Sequence, residues 1–360
     1  MRADGRLHRL QEELQEQKLD AILIGHLPNI RYLCGFSGSA ALLLVSGREI
    51  EFFTDGRYTV QAREEVMGAR IRIQKGRSAF ATLLEWLNGR SRIKRLGIEA
   101  AYMTVADREL LAKRVGRTMK IVNAPPLIER MRMVKSPEEI ARIRAACELG
   151  TGLLETVTAA LKPGRTESQV AGQLELAARS SGADQMAFTT IIAGGRRSAL
   201  PHGRASRAPI PSRGFVVCDF GVILSGYCSD MTRTLHVGRP STVARRVYEA
   251  VREAQQGALE AVRPGKTVGE VDAAARKLLQ KRGLGKYFTH STGHGLGLEI
   301  HEAPRVAAGQ MEILRPGMVI TVEPGAYLPG KFGVRIEDTV VVTETSCEIL
   351  TKCPKGMVSV

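Results

Sequence analysis

Five residues between positions 219 and 337 have the side-chain chemistry of a hydrolase that uses two metal ions: Asp219, Asp230, His294, Glu323 and Glu337. Two of the four carboxylates are aspartates placed symmetrically about a predicted turn between two strands. Like charges that face each other across a sheet destabilise it. A divalent cation between the two aspartates reverses the sign of that interaction, so the pattern favours a metal centre.

The first pair of strands is predicted from residues 215–220 (FVVCDF) and 227–237 (YCSDMTRTLHV). Both segments are apolar or alternate with β-branched residues, and turn-forming residues separate them. A turn centred on residues 224–225 (LS) would place Asp219 and Asp230 opposite each other. We therefore expect these aspartates to form a direct cross-strand pair.

A second pair of strands is predicted from residues 319–323 (VITVE) and 334–342 (VRIEDTVVV), which are joined by a connection rich in proline and glycine. The connection centres on Gly330, and Glu323 and Glu337 are symmetric about it. A single pair of facing carboxylates is usually accidental. Two such pairs, together with a histidine embedded in glycines, indicate a site.

The chain contains an internal repeat that relates the two hairpins. Residues 161–182 (LKPGRTESQVAGQLELAARSSG) match residues 262–283 (VRPGKTVGEVDAAARKLLQKRG) in their Pro-Gly, Thr and Val positions. In each copy the threonine is placed to cap an amphipathic helix. A strand that begins with glycine and carries an acid near its end follows each copy, at 214–221 and 317–325. The repeat predicts a pseudo-twofold domain with both carboxylate pairs at its centre.

Six short motifs in the second part of the chain resemble those of the metallopeptidases of the Xaa-Pro dipeptidase and aminopeptidase P group. They are SALPHG (198–203), VVCDFG (216–221), SDMTRT (229–234), HSTGHGLGLEIHEAP (290–304), TVEPGAY (321–327) and RIED (335–338). Each motif alone is weak, whereas their order and spacing are specific. Near the N-terminus, YLCGFSGS (32–39) and TDGRY (54–58) resemble the N-terminal domain of that group, so the resemblance covers nearly the whole chain.

The resemblance implies an α/β (α+β) architecture, in which a creatinase-like N-terminal domain precedes a pseudo-twofold catalytic domain of the pita-bread fold. The length of 360 residues also exceeds that of one ordinary domain. We place the boundary after Pro125 and Pro126, which gives domains 1–126 and 127–360. Beyond it, Ser136 followed by Pro-Glu-Glu has the pattern of a capped helix start.

Carried over by position, the resemblance implies that Asp230 and Glu337 bridge two divalent metal ions. Asp219 would complete the coordination of one ion, and His294 with Glu323 that of the other. Oxygen ligands with one imidazole and no thiolate suit Mn²⁺, Co²⁺, Fe²⁺ or Zn²⁺, and we expect manganese. Two such ions about 3.5–4 Å apart lower the pKa of a shared water. The hydroxide that bridges the two metals would then attack the Xaa-Pro peptide bond.

The resemblance also implies roles for residues around the metals. His301 would donate a hydrogen bond to the tetrahedral oxyanion, and His202 would contact the substrate near the scissile bond. Glu323 would carry the proton of the water to the prolyl nitrogen as that nitrogen leaves. Arg335 would orient a ligating carboxylate. His290, in the glycine-rich loop, is a candidate on the substrate side.

The expected substrates are small peptides with proline at the second position. An Xaa-Pro dipeptidase is favoured slightly over an aminopeptidase P, which acts on longer peptides. Two alternatives stay open: a creatinase-like amidinohydrolase, although such members lose metal ligands, and a catalytically silent peptide-binding module.

Many relatives carry Pro-Asn where this chain has Arg196-Arg197. We expect the added charge to favour a substrate carboxylate or an acidic residue.

Composition sets further expectations. The formal charge of +15 is spread along the chain without interleaved aromatic residues, which does not favour a specific nucleic-acid partner. The N-terminal segment is charged and lacks the apolar region of a signal sequence, and residues 40–45 are far too few to span a bilayer. We expect a cytoplasmic homodimer without membrane contact.

The six cysteines should be reduced, although Cys218 and Cys228 could approach each other across the first hairpin.

Overall fold

The computed structural model describes residues 3–88 and 92–360. The chain divides into two compact units, Met1–Arg132 and Met133–Val360. Both units mix helices with strands, as expected for an α/β chain. Within the described ranges, no helix is long and apolar enough to cross a membrane.

The first unit is built around one sheet. Its strands are β1 (Ala21–Ile24), β2 (Leu42–Ser46), β3 (Ile50–Thr54), β4 (Arg70–Ile73), β5 (Arg95–Ile98) and β6 (Lys120–Asn123). The helices are α1 (Ala3–Glu16), α2 (Leu27–Cys34), α3 (Thr59–Glu65), α4 (Ala79–Trp86), α5 (Val105–Val115) and α6 (Leu127–Met133). The strand order is β4-β3-β2-β1-β5-β6, with β1 antiparallel to β2 and parallel to β5. Leu23, Phe53 and Leu96 are fully buried in the core of this unit.

The second unit contains the predicted site residues. Its helices are α7 (Pro137–Gly152), α8 (Leu154–Ala160), α9 (Glu167–Ser180), α10 (Thr242–Ala261) and α11 (Val268–Lys281). Its strands are β7 (Gln185–Met186), β8 (Ile191–Gly194), β9 (Gly214–Phe220), β10 (Val222–Leu224), β11 (Tyr227–Cys228), β12 (Met231–Val237), β13 (Gly293–Gly295), β14 (Glu302–Val306), β15 (Val319–Val322), β16 (Gly325–Leu328), β17 (Phe332–Arg335), β18 (Asp338–Val342) and β19 (Cys347–Ile349). Their sheet orders are β11-β10-β7, β12-β9-β8, β14-β13-β15-β18-β19 and β16-β17.

Each copy of the sequence repeat forms a capped helix, as predicted. The Thr166 side chain accepts a hydrogen bond from the backbone of Gln169 at the start of α9, and the Gln169 side chain accepts from the Thr166 backbone. Thr267 and Glu270 form the same reciprocal pair at the start of α11. Ser136 caps α7 in the same way, with a proline in the first turn. Local sequence therefore specifies all three helix starts.

The loops before the two repeated helices also match in their hydrogen bonds. The Gly164 amide donates to the Ile210 carbonyl at 3.1 Å, and the Gly265 amide donates to the Leu314 carbonyl at 2.9 Å. Both glycines have nearly equal positive φ angles, 85° and 84°. The duplication therefore holds at the level of the backbone, which supports the predicted pseudo-twofold domain.

The first predicted hairpin forms, but its register differs from the prediction. Asp219 pairs with Thr232, not with Asp230, which lies just before β12. The turn is centred on Ser225 and Gly226, both of which have positive φ, as in a type I′ turn. The predicted direct pairing of the two aspartates is therefore wrong. Because the error is two residues, both side chains still point to the same face of the sheet.

The second predicted hairpin has the predicted register. β15 pairs with β18, and Val322 lies opposite Asp338. This register places Glu323 and Glu337 at the next facing positions. The connection between them is itself the hairpin β16–β17, and Gly330 at its turn has a positive φ of 72°.

Each half of the second unit buries its own apolar core. In the first half, Val170 of α9 packs in a cluster with Val216 of β9. In the second half, Val271 of α11 lies in a cluster with Ile320 of β15. Full burial of one such side chain stabilises the fold by about 1.5–3 kcal/mol. These two cores fix the strands whose ends carry the predicted metal ligands.

The six cysteines are free thiols, as expected. Cys218 lies opposite Arg233, whereas Cys228 lies opposite Ile223 in a different strand pair. Burial raises the pKa of the Cys218 thiol well above its usual range, which keeps it in the unreactive protonated form.

We predict that Thr267→Ala lowers the free energy of unfolding by about 1 kcal/mol, because α11 loses the side-chain acceptor at its N-terminus. Thr267→Ser keeps that acceptor and should unfold close to the unchanged protein. The measurement is urea unfolding followed by far-ultraviolet circular dichroism. Equal stability of the alanine and serine variants would show that the cap contributes nothing.

Candidate active site

The strand ends bring the predicted metal ligands together in the second unit. The Nε2 atom of His294, on β13, lies 3.4 Å from Oδ2 of Asp230 and 3.6 Å from Oε1 of Glu323. Asp230, His294 and Glu337 each offer a ligand atom, and these atoms lie within 4.8 Å of one another. We refer to Asp219, Asp230, Glu323 and Glu337 as the carboxylate cluster.

Asp219, Asp230 and Glu337 are buried, Glu323 is partly buried, and the negative charges of the cluster repel one another. Burial, followed by Asp219 and Glu323, raises the pKa of Asp230 well above its usual range. Burial, followed by Asp230, does the same to the pKa of Glu337. Burial and then Glu337 raise the pKa of Glu323 to about 8. The protein alone therefore does not compensate the charge that these groups carry when ionised.

Two atoms, one of His294 and one of Asp219, indicate that the compensating group is a cation. The Nδ1 atom of His294 lies 3.0 Å from the Gly295 carbonyl oxygen, so it carries the proton and donates. The Nε2 atom then presents a lone pair towards carboxylate oxygens. Within the described part of the chain, the buried Oδ1 atom of Asp219 has no hydrogen-bond partner. A divalent metal ion fits both atoms, because each would become a ligand.

Arg335 and Thr232 hold the cluster from one side. The Nη2 atom of Arg335 donates to Oδ2 of Asp219 at 2.5 Å, and its Nε donates to the Thr232 hydroxyl at 3.1 Å. That hydroxyl in turn donates to Oε2 of Glu337 at 2.7 Å. Arg335 thus contacts Asp219 directly and Glu337 through the Thr232 hydroxyl. Thr232 was not among the predicted residues, although period-two alternation places it on the same face as Asp230.

His290 lies behind Arg335, in a chain of hydrogen bonds. Arg335 donates from Nη1 to the Tyr327 hydroxyl at 2.5 Å, so that hydroxyl directs its own proton to Nε2 of His290 at 3.0 Å. The Nδ1 atom of His290 lies 2.7 Å from the Ser291 carbonyl oxygen and donates to it. Burial and Arg335 lower the pKa of His290 to about 4, so its ring is neutral. The structure therefore places His290 in contact with Tyr327, a residue that the sequence did not single out.

His202 and His301 are both exposed, which leaves them accessible to a substrate. The His301 ring packs edge-on against His294, with 4.4 Å between the ring centroids. His202 follows Pro201, whose carbonyl oxygen accepts from Nη1 of Arg335 at 3.0 Å. Both histidines therefore lie one contact away from a residue of the candidate site.

Arg233 fixes the backbone on the other side of Glu337. It donates to the Glu337 carbonyl oxygen from Nη1, and to Oδ1 of Asp338 from Nη2 at 2.7 Å. Lys355 also binds Asp338, at 2.9 Å. Arg233 and Asp338 are buried, so this pair restrains the strand start that carries a predicted ligand. Sequence reasoning missed both residues because their contacts join distant parts of the chain.

Arg197 does not offer a free charge to a substrate. Its Nε atom lies 2.9 Å from the carboxylate of Glu167, which is fully buried. The expectation that Arg197 attracts a substrate carboxylate is therefore not supported, because a buried acid already neutralises it. Arg196 is exposed, and for that residue the expectation stays a prediction.

Buried carboxylates that repel one another, beside a histidine lone pair in a duplicated α/β domain, are typical of a metal-dependent hydrolase. Residues 141–344 match the model of metallopeptidase family M24, and residues 6–134 match that of the creatinase/prolidase N-terminal domain. The chain belongs to metallopeptidase family M24, and the resemblance inferred from its motifs is confirmed.

Similar proteins share the full length of the chain. The Xaa-Pro dipeptidase of Pyrococcus horikoshii is 38% identical over 348 residues, which cover 96% of this chain and 97% of that protein. The structure of an Xaa-Pro dipeptidase from Bacillus anthracis superposes with a TM-score of 0.96 at 36% identity and covers both chains completely. The structure of an X-Pro aminopeptidase from Thermotoga maritima gives a TM-score of 0.89 at 38% identity and covers 99% of this chain and all of that one. These similarities confirm the expected fold.

We predict that the metal-free protein loses thermal stability as the pH rises. Burial and Glu337 raise the pKa of Glu323 from 4.5 to about 8, so its contribution to stability is present at low pH and is lost as the pH approaches 8. In a chelator, the midpoint of thermal unfolding should be lower near pH 8.5 than near pH 5.5. Saturating Mn²⁺ should raise the midpoint most at the higher pH, because the ion binds the folded state.

The control for this prediction is a pair of glutamine variants. Glu323→Gln should weaken the pH dependence, whereas Glu312→Gln, at an exposed glutamate of the same unit, should leave it unchanged. A midpoint in chelator that rises steadily from about pH 5.5 to 8.5 would contradict the expected direction.

Proposed function

We propose that the chain hydrolyses the peptide bond before proline in small peptides, using two divalent metal ions held by Asp219, Asp230, His294, Glu323 and Glu337. The observation that carries this proposal is the approach of His294 Nε2 to Asp230 and Glu323, at 3.4 and 3.6 Å, within a buried carboxylate cluster. Similarity to proteins that are named Xaa-Pro dipeptidase supports the substrate class.

The proposed ligand assignment divides the cluster between two ions. Asp219 would help to hold one ion, His294 and Glu323 would help to hold the other, and Asp230 and Glu337 would contribute ligands to both. When bound, the ions supply Lewis acidity and lower the pKa of water at the site. We propose manganese, because four of the five ligands are carboxylates, which suit Mn²⁺ well.

The residues of the chain move the proton and stabilise the developing charge. Glu323 takes the proton of the attacking water and passes it to the prolyl nitrogen as that nitrogen leaves. His301 donates to the oxyanion of the tetrahedral intermediate. His202 contacts the substrate near the scissile bond. Arg335 keeps Asp219 in place through the hydrogen bond between Nη2 and Oδ2.

An Xaa-Pro aminopeptidase that acts on longer peptides is the second candidate. The similarity to the X-Pro aminopeptidase structure from Thermotoga maritima favours it. The dipeptidase comes first, because the Xaa-Pro dipeptidase structure from Bacillus anthracis superposes more closely. A creatinase-like amidinohydrolase and a silent peptide-binding module are less supported, since the predicted ligand set is complete. Homodimer formation and a cytoplasmic location stay predictions.

We expect the protein, stripped of metal and resupplied with Mn²⁺, to release free proline from an Xaa-Pro dipeptide. Parallel samples with Co²⁺ and Zn²⁺ compare the metals, and an Xaa-Pro-Yaa tripeptide compares substrate length. Release of the first residue of the tripeptide at a similar rate would favour the aminopeptidase. Folded protein that is inactive with every metal would contradict the peptidase proposal.

We also predict that His301→Ala lowers kcat by on the order of a hundredfold, because it removes a donor to the oxyanion. KM should change little, since that contact forms mainly in the transition state. The control is His8→Ala, at an exposed histidine of the first unit, which should leave kcat unchanged. A His301→Ala variant that changes only KM would contradict the assignment.

A further inference from the structure

The loop that carries His202 is held at its base by one buried carboxylate. This loop, residues 194–206, is here termed the His202 loop. Glu167, the first residue of α9, is fully buried and lies beneath it. Oε1 of Glu167 accepts from the Gly194 amide at 2.8 Å, and Oε2 accepts from the Ser206 amide at 3.0 Å and from the Ser206 hydroxyl at 2.7 Å. One carboxylate therefore binds both ends of the loop.

Arg197 completes this anchor from within the loop. Its Nε lies 3.1 and 2.9 Å from the two carboxylate oxygens of Glu167. Its Nη2 donates to the Arg204 carbonyl oxygen at 2.7 Å, on the opposite stem of the loop. The guanidinium group thus joins the two stems while it neutralises the buried acid. Removal of Arg197 would leave the buried carboxylate of Glu167 without a cationic partner, which is strongly destabilising for that contact.

The tip of the loop reaches the candidate site. The Pro201 carbonyl oxygen accepts from Arg335, the residue that orients Asp219. The Ser198 hydroxyl accepts from the Gly333 amide of β17 at 2.9 Å. His202 follows Pro201 directly and is exposed. The position of its imidazole relative to the carboxylate cluster therefore depends on how the loop is held.

We propose that Glu167 and Arg197 are positioning residues that fix His202 for contact with the substrate. The pair acts through the His202 loop and touches neither the proposed metals nor the peptide. The inference rests on the proposed function, in which His202 contacts the substrate near the scissile bond. A displacement of about 1 Å at such a contact can lower the rate by about a hundredfold.

The test compares Arg197→Gln with Arg207→Gln, which removes an exposed arginine just beyond the loop. With Mn²⁺ and an Xaa-Pro dipeptide, Arg197→Gln should lower kcat/KM by about tenfold or more, whereas Arg207→Gln stays within about twofold of the unchanged protein. Arg197→Lys, which keeps the charge but not the bridging geometry, should recover part of the loss. Glu167→Gln should resemble Arg197→Gln.

A double-mutant cycle separates positioning from a general loss of structure. In a His202→Gln background, Arg197→Gln should change kcat/KM by no more than about twofold, because the residue that it positions is already absent. A loss that is the same in both backgrounds would overturn the proposal. So would an Arg197→Gln variant with unchanged kcat/KM.

Amide hydrogen exchange gives a readout that does not depend on catalysis. Exchange of residues 198–206 should be faster in Arg197→Gln than in Arg207→Gln, while exchange of α9 stays slow in both. If no metal gives proline release, the proposed peptidase function fails, and exchange alone decides whether the pair holds the loop. Equal exchange in the two variants would then overturn the anchoring role.

Discussion

Buried negative charge is the constraint on which the second unit depends. Asp219, Asp230, Glu323 and Glu337 converge where burial raises the pKa values of three of them. Within the described residues, Arg335 donates directly to this cluster, at Asp219. One guanidinium cannot compensate four carboxylates, so the folded state either takes up protons or binds cations. Metal binding at this cluster would therefore stabilise the folded state of this unit.

The duplicated architecture makes such a cluster possible. Each half supplies a helix with a capped start, a hairpin and an apolar core. The apolar cores of the two halves fix the strand ends separately. Packing in both cores resists the repulsion between the carboxylates, so the like charges stay close together. Arg335 and Thr232 then link a carboxylate of the first half to one of the second. The site thus belongs to both halves.

Sequence reasoning succeeded where local rules decide the structure. Helix starts at Thr166 and Thr267, and the register of Glu323 against Glu337, follow from capping residues and from a glycine at the turn centre. It failed for Asp219 and Asp230, because Ser225 and Gly226 both adopt positive φ angles and form the turn, which moves the turn centre by one residue. Since that shift leaves both aspartates on the same face of the sheet, Asp230 still lies close to His294 and Glu337.

The sequence pattern could not predict contacts between distant segments of the chain. Thr232, Tyr327 and Arg233 act through hydrogen bonds to residues that no local period relates to them. The sequence motifs identified the segments that contain these residues, but they did not show which side-chain atoms are in contact. Charge alone was misleading at Arg197, whose partner is 30 residues away and fully buried. An exposed cation and a paired one look identical in a sequence.

The two halves have similar backbone structures, but different polar residues lie beneath their loops. Glu167 opens α9 in the first copy, whereas the equivalent first residue of α11 is the buried Val268. In the second half, the ion pair between Lys135 and Glu302 lies next to His301 instead, with 3.1 Å between Nζ and Oε2. His202 and His301 therefore each have an ion pair with a buried carboxylate near them in the sequence, although the pairs arise from unrelated positions. The two halves can thus hold one carboxylate cluster in place, although different ion pairs lie beneath the loops that face the substrate.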